Sequence, residues 1–296
     1  MNRHSPAAAK QRGMAIISAL LIAAVVAVLA GAMLTRQGVF TRTLEAEQSR
    51  IQAQWLLQGG LEYSRQLLWE ARQKDVLTRL DQPWARAQGG AFEGRLVDEQ
   101  GKFNLRNLVN RQQPDTEQSQ HFERLCGLIG VDPAVSRRIS QRVLGSYDQR
   151  INDVVVPARY PMLRSLEDLA GIEGVDPALL RRLQGFISVL PANTWVNGNT
   201  ASAEVLSAVV PALSVSQAQA LVAERDSGRW FINRGDFVNR LRLPQVAVES
   251  VQVGITSEWF GLHGQVRREQ RWVTLDALLH RPEDRQPQVI WSRVGV

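Results

Sequence analysis

Few residues in this chain of 296 are of types that do chemistry, and they are scattered. His4, His121, His263 and His280 lie in four different segments. The single cysteine, Cys126, has no partner for an intramolecular disulfide and no second thiol for a zinc site. Leu125 and Leu128 beside it read as the surroundings of a buried helical thiol. His121 stands a helical turn or so away, a spacing that is more often coincidence than a poised base. Asp98, Glu99 and Asn104 are oxygen donors of the kind that hold a hard cation such as calcium. A polar turn whose Asn satisfies backbone groups is the plainer reading of the same residues. Gly-x-Ser-x-Gly, Walker, His-Glu-x-x-His and strand-linked G-x-G-x-x-G patterns are all missing from the sequence. No catalytic residue and no enzyme activity are expected, and a membrane-anchored hydrolase is the weakest of the functional readings.

Phosphate binding is the second chemistry to weigh. Phe122–Ile139 and Leu166–Leu183 are copies of one pattern, offset by 44 positions. Gly127, Gly130, Val131, Asp132, Pro133 and Ala134 of the first match Gly171, Gly174, Val175, Asp176, Pro177 and Ala178 of the second. Each copy predicts a helix, a tight Gly-x-x-Gly turn, an Asp N-cap with Pro at the first helical position, and a second helix. Such helical hairpins can bind a DNA backbone through their turn amides, with Arg137, Arg138, Arg181 and Arg182 at hand. Glu173 inside the second turn would repel a phosphate, and paired arginines on a helix are more often a solvated face. The formal charge of +6 is half carried by Arg3, Lys10 and Arg12, in a segment without acids, so it argues little for a polyanion partner.

The elements that must position these residues begin with Met14–Leu34, which holds no charged residue. A spanning helix needs roughly 20 such residues, and no polar stripe marks it as a core helix. The basic residues before it predict an N-terminus on the cytoplasmic side. Cleavage as a signal peptide near Ala30-Gly31-Ala32 is the competing expectation. Helical periodicity continues from Thr35 to about Arg72 through Leu44, Ile51, Trp55, Leu61 and Leu68. Gly59-Gly60 weakens it or marks close packing. Ala91–Asp98 and Lys102–Leu105 around Glu99-Gln100-Gly101 predict a β-hairpin. A Pro- and Asn-containing linker, Leu190–Trp195, precedes a further helical pair expected from Ala201, capped by Asn199 or Thr200, and from Ser214 or Ser216. Alternation from Val251, and again near Gly264–Leu275 and Gln288–Arg293, predicts a terminal β-meander. Strands on both sides of a helical stretch argue for an α+β domain with an inserted all-α subdomain.

The junction Gln11-Arg12-Gly13-Met14-Ala15, a basic leader ending in Gly before an apolar helix, resembles that of type IV prepilins and pseudopilins. The resemblance implies cleavage after Gly13 by a prepilin peptidase and methylation of the new N-terminus at Met14. The family usually has Phe first and Glu fifth; Met14 and Ser18 stand here. A missing Glu is characteristic of the K-type minor pseudopilins of type II secretion. The stretch Val97–Leu108 is similar to their DE-x-G-x-hydrophobic-N-L run, and Val196–Ala201 to their hydrophobic-N-x-N-T-A motif. What that implies is a pseudopilin fold: a long N-terminal membrane-spanning helix on an antiparallel sheet, carrying a SAM-like or helix-hairpin-helix-like insertion. The expected division is 1–13 leader, 14–34 membrane part and 35–72 periplasmic part of the helix. It continues with 73–109 and 246–296 as α/β core, and with 110–195 and 196–245 as helical regions. The implied role is at the tip of a pseudopilus, assembled with I- and J-type minor pseudopilins and the major pseudopilin. The implied site is the bacterial inner membrane, single-pass, with a periplasmic C-terminal domain and no nucleic-acid partner. The runner-up is a membrane-anchored periplasmic helix-hairpin-helix DNA-binding protein.

Overall fold

The computed structural model describes residues 7–151, 154–268 and 271–295; Arg3 and His4 lie outside the described residues. The chain forms two units, Met1–Trp55 and Leu56–Val296. Helix α1 (Ala7–Lys74) contains no proline and runs without interruption. In the first unit its apolar side chains from Ile16 to Leu34 are exposed, and the stretch is long and apolar enough to cross a membrane, with a mean hydropathy of 2.7. The hydroxyl groups here fold back on their own helix: Ser18 donates to the Met14 carbonyl and Thr35 to that of Gly31, both at 2.9 Å. Such back-bonding removes an unsatisfied donor that lipid would penalise. Arg72 and Lys74 close the helix, where cations suit its dipole.

The second unit is built on a four-stranded antiparallel sheet of β1 (Glu93–Asp98), β2 (Trp259–Arg268), β3 (Arg271–His280) and β4 (Gln288–Gly295), in that spatial order. Asp98 faces Phe260, and Leu278 faces Trp291 just before a register shift. One face of the sheet buries Leu96, Phe260, Leu262, Leu275, Ala277 and Leu279 against Leu57, Leu61, Leu68 and Ala71 of α1. The strand positions follow period two and the helix positions period 3.6, the two patterns a sheet-on-helix layer requires. Gly60 is needed at this contact, because the Phe92 ring fills the space of its absent Cβ.

The expected hairpin at 91–105 is not formed. Asp98 caps a short 3₁₀ turn, Glu99–Gly101, by accepting from the Gln100 amide at 2.9 Å. The chain is thereby turned away, and Phe103–Asn104 pairs in parallel with Ile187–Ser188. Likewise Val253–Gly254 pairs with Val196–Asn197 rather than extending the sheet. Long-range pairing overrode local alternation in both places, since a two-residue strand carries too little pattern to declare its partner.

Between β1 and β2 lie α2 (Thr116–Leu128), α3 (Pro133–Leu144), α4 (Pro177–Leu183), α5 (Ala203–Val209), α6 (Val215–Asp226) and α7 (Arg234–Leu241). They share one core from Phe103 through Phe122, Leu125, Ile139, Leu183, Leu206 and Phe237 to Val253. Asp132 and Asp176 cap α3 and α4 with Pro at the first position, as the repeat predicts. The second copy departs from the expected helix: Leu166–Leu169 is a single 3₁₀ turn, its start held by the Asp168 carboxylate, which accepts from the Arg164 and Ser165 amides at 2.7 and 3.2 Å. Ser202, not Asn199 or Thr200, caps α5, and Ser214 caps α6. The reason for the first of these lies in what Asn199 and Thr200 do instead.

Candidate functional site

The most elaborate polar arrangement surrounds Asp98 at the end of β1. Its Oδ2 accepts from Asn197 Nδ2 at 3.0 Å and from the hydroxyls of Thr200 and Ser257 at 2.6 Å each. Asn197 Nδ2 also reaches the Thr78 carbonyl at 3.1 Å. Ser257 stands between two charges: its hydroxyl donates to Asp98, and its carbonyl accepts from Arg281 at 2.7 Å. Arg281 donates further to the Thr78 hydroxyl at 2.7 Å and lies 4.6 Å over the Phe260 ring. Gln100 adds a bond from the Glu258 amide at 2.6 Å. The segment after α1, the end of β1, the helical region and the open end of the β2–β3 pair are thus tied at one point.

Burial governs the electrostatics. It raises the Asp98 carboxyl above its ordinary value, with the bonds from Ser257, Thr200, Gln100 and Asn197 pulling the other way. Burial also lowers the Arg281 guanidinium to about 10, and Arg72 adds to that while Asp98 opposes it. A buried carboxylate with every oxygen engaged has no lone pair turned to a substrate, so the arrangement holds structure together.

The motif Val196–Ala201 is now accounted for residue by residue. Asn197 joins Asp98. Gly198 packs closely against Val253, Phe237 and Phe231, so a Cβ there would need its neighbours to give slightly. Asn199 bonds Phe231 in both directions, at 2.9 and 2.8 Å. Thr200 spends its hydroxyl on Asp98. Buried Arg225 donates to the carbonyls of Gly198 at 3.0 Å and Ala201 at 2.6 Å. Thr78, Arg225, Ser257 and Arg281 were invisible to sequence reasoning, because each is an ordinary residue until the fold buries it.

The three oxygen donors singled out in the sequence do not converge. Glu99 pairs with Lys102 at 2.9 Å. Asn104 Nδ2 donates to the Ala192 carbonyl at 2.8 Å, and its Oδ1 accepts from the amides of Arg106 and Leu190. Among the described residues no group of three or more His, Cys, Asp or Glu comes together to hold a metal. Cys126 is buried, and burial pushes its thiol up to about 12, far from a nucleophile's range. His121 is pushed down, again by burial. Gly13 and Met14 both lie within α1.

The two hairpin turns are occupied by their own chain. The amides of Val131 and Val175 donate to the carbonyls of Cys126 and Ile172 at 2.8 and 2.9 Å. Arg138 pairs with Glu173 at 3.0 Å, and Arg182 donates to the carbonyls of Ile129 and Gly130.

A first unit whose helix is long and apolar enough to cross a membrane, and a second in which a helix packs on an antiparallel sheet around an Asp98 spent on packing, match the class of pilin-type structural subunits. Two family models described as type II secretion system, protein K match residues 101–192 and 196–256. The type II secretion system protein K of Pectobacterium carotovorum is 30% identical, over 87% of this chain and 89% of its own. That of Pseudomonas aeruginosa is 27% identical over 96% and 93%. A chain in the crystal structure of the GspK-GspI-GspJ complex from enterotoxigenic Escherichia coli superposes with a TM-score of 0.68 at 18% identity, covering 85% of this chain and 99% of that one. The chain belongs to the type II secretion system protein K family, and its role is that of a minor pseudopilin in type II secretion.

Proposed function

We propose that the chain caps a periplasmic pseudopilus at its tip, assembled with I- and J-type minor pseudopilins above the major subunit. The observation that carries this is Ser18, whose hydroxyl is bonded to its own helix at Met14. A cleaved pseudopilin carries a positive amine at its first residue, buried among packed helices. A carboxylate at the fifth residue of a neighbour offsets that cost. A subunit with Ser18 offers no carboxylate to a chain above it, yet its own amine can use a neighbour's. It therefore fits an end of the filament. The fold neighbour crystallised in a complex with GspI and GspJ supports the same partners.

The reading includes cleavage by prepilin peptidase after Gly13, methylation of Met14, and insertion in the inner membrane with the N-terminus cytoplasmic. It treats 110–195 and 196–245 as two SAM-like regions inserted into a pseudopilin core of 73–109 and 246–296. Their size would hinder stacking of a further subunit. Immunogold labelling of pseudopili together with subunit counting by mass spectrometry tests the reading. Label confined to tips at low copy number is expected; label along the shaft, or copy number equal to the major subunit, overturns it.

A further inference from the structure

We draw no further inference here: the strongest candidate, the surface segment 154–162 between α3 and α4, which is anchored on the Gly145 carbonyl by the Arg159 and Tyr160 amides and leaves Val154, Val155, Val156 and Met162 exposed, is an unpartnered apolar face, and nothing in the structure shows what covers it.

Discussion

Arg138 and Arg182 occupy equivalent positions in the internal repeat, and each donates to the carbonyl just ahead of the other copy's second turn glycine. Arg138 reaches Glu173 and Arg182 reaches Ile129, both at 3.4 Å, and these acceptors are again 44 positions apart. The copies clasp one another reciprocally. Val135 of the first fills the space that a Cβ on Gly174 of the second would need.

The clasp has a consequence for nucleic acid. With turn amides, Arg138 and Arg182 engaged internally, a fragment of about residues 42–296 should bind duplex DNA no better than non-specific background, with Kd weaker than about 10⁻⁶ M at physiological salt. Arg138→Ala and Arg182→Ala should each cost no more than about 1 kcal/mol, since the pairs are largely exposed. Fluorescence anisotropy and urea unfolding measure the two. Sub-micromolar, salt-dependent binding lost in Gly174→Ala or in either arginine variant would restore the DNA-binding reading.

Asp98 should be worth far more. Asp98→Ala leaves Asn197, Thr200 and Ser257 short of an acceptor and should cost on the order of 3 kcal/mol; Asp98→Asn should cost about half as much. The pH dependence follows from the raised carboxyl. The folded state keeps a proton that the unfolded chain loses near the ordinary value of 3.8. The stability contribution from this titration is therefore complete below that value and declines as pH rises through the raised one. The gap between wild type and Asp98→Asn should be widest in acid and should narrow toward neutrality. Urea titrations of both proteins across that range check the sign.

Neighbouring glycines in α1 should respond in opposite directions. Gly59 has open space around its missing Cβ, so Gly59→Ala should stabilise by up to about 1 kcal/mol through helix propensity. Gly60→Ala must displace the Phe92 ring, which is also packed against Gly94 and Gly264. Overpacking of this kind costs about 1–3 kcal/mol. Adding Phe92→Ala should remove most of the difference between Gly60 and Gly60→Ala in thermal melts.

Processing gives a last expectation. N-terminal sequencing of protein isolated from membranes should begin at methylated Met14. Gly13→Val should block cleavage while leaving membrane insertion intact. A sequence starting near Ala32, or at residue 1 or 2, would instead point to signal-peptide removal or to no processing.

The sequence alone determined the apolar helix, the terminal β-meander, the internal repeat and its Asp-Pro helix starts. Those features are local: periodicity, caps and composition act over a few residues and need no knowledge of partners. It also carried the resemblance, through Gly13, Ser18 and the Val196–Ala201 motif. The tertiary structure decided what the motif is for. Asn197 and Thr200 meet Asp98 across about a hundred positions of chain, and no pattern along the sequence records such a meeting. The same holds for Phe103–Asn104, which two strand residues could not assign to Ile187–Ser188 rather than to β1. Burial separates the two classes. An aspartate, a threonine and an arginine are unremarkable in water, and become a structural lock when the fold removes water from around Asp98, Thr78 and Arg281 together.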